Sequence, residues 1–190
     1  MFLKTFEEKT FTKLDYTIRG FEPGNYELCN FEHCNFSETD LSSVFFTDCN
    51  FKSCNFSLAN FNHTALQEVT FVDCKLQGIH FDRCNPFNFN IKVEGGLLDL
   101  SSFYKTKLKK THFKNVSLKE VDFTEADLTE VVFEHCELLG AIFDDTNLEK
   151  ADFRSAYHYT IDPLKNKIKK AKFSWPALAG LLDRFDISVD

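Results

Sequence analysis

Seven cysteines, six histidines and 29 carboxylates are the side chains of this 190-residue sequence that could do chemistry. Thiolates serve as nucleophiles or zinc ligands, imidazoles as bases or ligands, and paired carboxylates as acid and base. The spacing supports none of these roles. Cys29, Cys34, Cys49, Cys54, Cys74 and Cys84 are separated by multiples of five, no C-x-x-C pair occurs, and that spacing matches no zinc-ligand signature. Neither H-x-x-x-H, H-E-x-x-H nor G-x-S-x-G is present, and no two histidines lie twenty residues apart. The sequence therefore predicts no catalytic residue, no metal site, no cofactor and no enzyme activity.

The cysteines instead belong to a pattern that must position everything else. Every fifth residue from Tyr26 is large and apolar: Phe31, Phe36, Leu41, Phe46, Phe51, Phe56, Phe61, Leu66, Phe71, Leu76, Phe81. Two places before each stands a small or β-branched residue, such as Cys29, Thr39, Val44, Cys54 or Ile79. Call these positions i and i−2; Cys136 occupies i−2 as well. The remaining three are mostly polar. A helix needs apolar residues at i, i+3, i+4 and i+7, and a half-buried strand needs alternation, so neither fits. A period of five fits a four-sided coil, one pentad per side, with i and i−2 pointing inward. Twenty residues make a turn, and turns stack at about 4.8 Å. By that rule Phe31, Phe51 and Phe71 stack, as do Phe36 with Phe56 and Phe61 with Phe81, while Cys34, Cys54 and Cys74 form an inner column of reduced thiols.

Phe6, Phe11, Tyr16 and Phe21 share the phase. Their i−2 partners include Lys4, Lys9 and Arg19, which are too long and charged for the interior, so the first turn is expected to be frayed or adapted as a cap. After Phe81 the phase changes. A second series runs from Leu98 through Phe103, Leu108 and Phe113 to Phe153, and extends back to Val93 and weakly to Asn88. A two-residue insertion is thus expected within 82–87, around Asn85 and Pro86. It reads either as a corner bulge or as a small partner-contacting loop. The pentads are expected to stop after Phe153. This gives a repeat region over 1–155 and a C-terminal cap over 156–190. Ser174-Trp175-Pro176 looks like a helix start. Trp175, Leu178, Leu181, Leu182 and Phe185 lie on its apolar side, and 186–189 could form a short strand.

The formal net charge of −7 speaks against nucleic-acid or anionic-membrane binding. No apolar run of about 18 residues offers a membrane span. The first ten residues lack the apolar stretch of a signal peptide, and with reduced thiols this predicts a cytoplasmic protein. On the outer faces, Asp122 and Glu125 flank Phe123, and Asp144 and Asp145 flank Phe143. Asp127 and Glu130 lie beside Leu128, and Glu149 beside Leu148. One turn earlier the same sides carry Lys105, Lys107, Lys109 and Lys110. These seven acids should form two adjacent columns. They read either as ordinary solvated exterior or as an anionic strip shaped for a DNA-binding groove.

The Cys-Asn-Phe, Ala-Asn-Phe, Ala-Asp-Leu and Ala-Asp-Phe units resemble those of the pentapeptide repeat proteins over nearly the whole chain. That resemblance implies an all-β fold, a right-handed quadrilateral β-helix, here with a short C-terminal capping helix. The chain is also similar to the Qnr/MfpA-type subfamily, which resembles duplex DNA in width and negative surface and binds DNA gyrase and topoisomerase IV, modulating quinolone susceptibility. The likeness implies a homodimer made through the C-terminal segment. Gram-negative Qnr proteins carry longer loops between coils, whereas this chain has only the slip near Asn85. The alternative is an interaction scaffold with a different cytoplasmic partner.

Overall fold

The computed structural model describes residues 4–185 and 187. The chain winds as a right-handed, four-sided parallel β-helix. On the first side, strands Lys4–Glu7, Gly24–Glu27, Phe45–Thr47 and Ala65–Gln67 form a four-stranded sheet. On the next, seven strands run from Thr10–Thr12 to Val132–Glu134. All neighbours are parallel, with residue n beside n+20 away from the slip, as in Phe31↔Phe51. The other two sides are joined by single parallel bridges such as Asn35↔Asn55 and Asp40↔Asn60.

The inward positions are those the period requires. Phe31, Phe51, Phe71, Phe103, Phe123, Phe133 and Phe153 are buried, and so are all seven cysteines. Rings stack between turns: Phe31–Phe51 centroids are 4.7 Å apart, Phe36–Phe56 4.5 Å and Phe51–Phe71 5.2 Å, with interplanar angles of 14° or less. At i−2 a second rule applies. Cys54 Sγ donates to the Phe31 carbonyl at 3.4 Å, and Cys74 Sγ to Phe51 at 3.4 Å. Thr146 Oγ1 donates to Phe123 at 2.9 Å, and Asn166 Nδ2 to Phe143 at 2.8 Å. Small side chains with a donor are favoured there because they fit and give a buried carbonyl a partner. Burial pushes the Cys136 pKa up to about 12.

Polar residues at i−1 and i+2 are explained by the corners. Asn or Asp at i−1 accepts the backbone N–H of i+1, as in Asn35–Ser37 at 3.2 Å and Asp122–Thr124 at 2.8 Å. The i+2 residue turns the corner in the left-handed region: His33 has φ 54°, Glu125 55° and Lys110 63°. That conformation costs a non-glycine residue roughly 1–2 kcal/mol. Most such residues are held by a bond to the next turn, as in Glu125 N–H to Asp144 O at 2.8 Å.

The first turn is adapted. A four-residue helix, Tyr16–Arg19, follows the Asp15↔Asn35 bridge, capped by Asp15 accepting from Thr17 N–H at 3.0 Å. Lys4 turns outward to Glu22 at 3.0 Å, and Phe6, Phe11 and Phe21 stay half-buried at the open end.

Three expectations are corrected. The first concerns the slip. Asn85 N–H still bonds Thr64 O, at the regular offset, but Val69 pairs with Ile91 and Phe71 with Val93, two residues late. The register therefore changes between Asn85 and Asn90, slightly beyond the expected span. Asn88 is exposed and Phe89 packs on the core in its place, because an amide would be buried without its bonds there. Secondly, Phe61 and Phe81 meet edge-on at 6.0 Å and 80° instead of stacking. The short 3₁₀ turn Phe81–Arg83 tips the Phe81 ring, which stacks on Phe103. Finally, the coil does not stop after Phe153. Asn147 bridges Lys167, Asp152 bridges Lys172, and Phe173 stacks on Phe153 at 5.4 Å. The pentad pattern fades there because Tyr159, not residue 158, takes the inward place.

The end of the coil is covered by two 3₁₀ segments, Trp175–Leu181 and Asp183–Phe185. Ser174 occupies the N-cap position without a side-chain capping bond. Ile161 N–H donates to Gly180 O at 2.9 Å, and Ala177 and Leu181 pack on the core. Of the strand expected at 186–189, only Ile187 lies within the described residues, and it is exposed.

Candidate partner-binding surface

The seven acids lie on two adjacent sides of the coil, as their spacing requires. Asp122 bridges Ile142 on one side, and Asp127 bridges Asn147 on the next. Glu125, Glu130 and Asp145 occupy left-handed corner positions, so they project from the edges of the rod, not from its flats.

The structure separates the seven by what they do. Asp122 and Asp127 are used by the fold: Asp122 Oδ1 accepts Thr124 N–H, and Asp127 Oδ1 accepts Thr129 N–H at 3.1 Å and its hydroxyl. Glu125 meets Lys105 Nζ at 3.3 Å and the Tyr104 hydroxyl at 3.1 Å. Glu130 sits between Lys150 at 2.7 Å and Lys110 at 3.9 Å, and Lys150's hydrogen bond holds its carboxyl below the usual range. Asp144 meets Lys165 at 3.1 Å. Among the described residues, Asp145 and Glu149 have no cationic partner within 4 Å. Four lysines therefore interleave with the acids. Their spacing could have been found in the sequence, since Lys110, Glu130 and Lys150 are twenty apart. Exposed pairs of this kind contribute about 0–1 kcal/mol, so a partner could displace the lysines at small cost.

The slip forms a loop. Asn85 Oδ1 accepts Phe87 N–H at 3.0 Å, Pro86 is exposed and the Phe87 ring is 68% exposed. At the C-terminus, Trp175 is 86% exposed and Phe185 50%, while Leu178 and Leu182 are half-buried and Leu181 seals the coil. The five residues expected at a dimer contact thus divide into an outer pair and an inner seal. Among the described residues there is no cluster of three His, Cys, Asp or Glu that could hold a metal, and no helix long and apolar enough to cross a membrane.

A parallel four-sided coil with aromatic columns and asparagine or aspartate corners defines a class, and sequence profiles identify it. The pentapeptide repeat region profile matches residues 25–103, and the profile of eight pentapeptide repeat copies matches 98–134 and 122–157. The chain belongs to the pentapeptide repeat family. Among solved structures it is similar to full-length QnrB1, described as a plasmid-mediated fluoroquinolone resistance protein, with a TM-score of 0.58 and 18% identity over 97% of this chain and 100% of that one. HetL of the cyanobacterium Nostoc, described as involved in heterocyst differentiation regulation, has a TM-score of 0.35 and 14% identity over 90% of this chain and 86% of that one. No curated protein matches the chain in sequence.

Proposed function

We propose that the protein is a non-enzymatic binding rod that engages DNA gyrase or topoisomerase IV in place of duplex DNA and so modulates quinolone susceptibility. The observation that carries this reading is the likeness to QnrB1 along the full length of both chains, joined to the acidic columns. From Phe11 to Phe173 the coil takes roughly eight steps of about 4.8 Å, a rise of roughly 38 Å. Two such rods joined end to end through Trp175 and Phe185 would span a DNA-binding channel. The protein would then work in the cytoplasm, with no cofactor and no direct contact to nucleic acid. A supercoiling assay with purified gyrase, with and without a quinolone, tests the reading. The expected result is inhibition of supercoiling or protection from the drug, and no effect at about 10 μM protein would overturn it.

The interleaved lysines favour a second reading, an interaction scaffold for another cytoplasmic protein. A surface of alternating sign selects a partner of matching pattern, whereas a DNA mimic needs uniform negative charge. Capture of a non-topoisomerase partner, lost in a variant altered at Asp145 and Glu149, would support this reading over the first.

A further inference from the structure

The phase slip opens a groove of about 500 Å³ where the turn at 89–94 meets the turn at 107–114. In a chain of net charge −7 its walls are basic: Lys92, Lys107, Lys109, Lys110, His112 and Lys114. Lys114 is engaged by Glu94 at 3.1 Å, His112 by Glu134 at 2.8 Å, and Lys110 by Glu130 at 3.9 Å. Among the described residues, Lys92, Lys107 and Lys109 have no carboxylate within 4 Å. Three lysines without a carboxylate partner therefore line one concavity of an acidic protein. Their mutual repulsion destabilises the free protein and would be relieved by an anionic occupant.

We propose that this groove receives a short run of carboxylates on an acidic polypeptide partner. The inference does not rest on the topoisomerase reading, although Lys107, Lys109 and Lys110 lie one turn before Asp127 and Glu130 on the same side of the rod. The groove spans about two turns, roughly 10 Å, which accommodates about three residues of extended chain. Carboxylates flank it on the neighbouring turns. Glu68, held by Asn90 Nδ2 at 2.7 Å, lies on the N-terminal side, and Glu130 and Asp127 lie on the C-terminal side. A nucleic-acid strand laid along the rod would meet these carboxylates with its next phosphates, whereas a short acidic segment flanked by neutral residues would not. Thr111, part of the groove wall, adds a hydroxyl that can donate to a carboxylate.

The test uses the full-length chain and fluorescence anisotropy with two probes, fluorescein-labelled tetraglutamate and labelled hexathymidylate, against a tetraglutamine control. The tetraglutamate peptide is expected to bind saturably and in a salt-dependent manner. K107E/K109E should weaken it about tenfold, and Lys92→Glu, on the adjoining side, about threefold. K169E/K170E, which reverses lysines of similar exposure outside the groove, should leave binding unchanged. Far-UV spectra matching the parent exclude unfolding as the cause of any loss. Absence of saturable peptide binding, equal loss in K107E/K109E and K169E/K170E, or tighter binding of hexathymidylate than of the peptide would each overturn the proposal.

Discussion

The rings of Phe81 and Phe103 lie 4.5 Å apart and within 1° of parallel, although 22 residues separate them where every regular neighbour is separated by 20. The coil therefore absorbs two extra residues without breaking its aromatic column. The excess is expelled into the exposed segment at Pro86 and Phe87, and the inner stack is restored one side later. Continuity of the interior, not regularity of the sequence, is what the fold conserves through the slip.

That continuity makes single core positions costly to empty. Phe51 is 1% exposed and stacked between Phe31 and Phe71. Phe51→Ala leaves a cavity that the parallel turns on either side cannot close, and should cost about 3–5 kcal/mol. Equilibrium urea unfolding measures it. A loss under about 1 kcal/mol would contradict the inward stacking.

Gly96 occupies an i−2 position just after the slip. A Cβ there would lie 2.0 Å from the Cys74 carbonyl oxygen, with φ at +87°. Gly20 has a similar φ of +72° but open space around it. Gly96→Ala and Gly20→Ala thus share the backbone strain of about 1 kcal/mol and differ in the collision. Gly96→Ala should lower the thermal midpoint clearly more than Gly20→Ala. Equal midpoints would show that the turn can relax.

Asp152 is expected to contribute acid-sensitive stability. The Arg154 side chain bonds its carboxylate at 2.7 Å and, with the Arg154 N–H and Lys172, holds its pKa below the usual value. A carboxyl depressed in the folded state adds stability above the unfolded pKa of about 3.9, and loses it as pH falls through the folded value. Arg154 is 64% exposed, so solvent screens the pair. Asp152→Asn should be about 0.5–1 kcal/mol less stable than the parent at pH 7, with the gap closing below about pH 3. Chemical denaturation at the two pH values checks this. A constant gap would assign the effect to packing.

The outer C-terminal residues carry the proposed dimer. Leu181 packs on the core, so a charge there would disturb the seal as well as any contact. Trp175 and Phe185 are the cleaner positions, being exposed. Trp175→Asp with Phe185→Asp should convert a dimer into monomers in sedimentation velocity, with the unfolding midpoint little changed. An unchanged sedimentation coefficient would remove these residues from the contact.

Much of this was legible in the sequence, because the inward positions tolerate one kind of residue and recur strictly. Phe31, Phe51 and Phe71 could be placed in the core by arithmetic alone. The slip was visible as a change of phase, but its site was not. Between Cys84 and Ile91 both Phe87 and Phe89 could have pointed inward, and only the backbone ladder, from Asn85 N–H to Thr64 and then Val69 N–H to Asn90, decides for Phe89. The extension to Phe173 was hidden because Tyr159 falls one residue out of step. The corners were illegible for a different reason. Residues as ordinary as Leu28, Glu38 and Lys110 adopt positive φ there, held by hydrogen bonds to the adjacent turn. The acids were found singly, but their meaning depends on the lysines one turn away.

The claim that the rod stands in for DNA is tested most directly by competition. Labelled duplex DNA bound to gyrase is titrated with the protein and with a variant carrying Asp144→Lys, Asp145→Lys and Glu149→Lys. The parent protein should displace the duplex, and the variant should require at least about tenfold more protein to do so. Failure of the parent to displace the duplex, or equal displacement by both, would contradict the account.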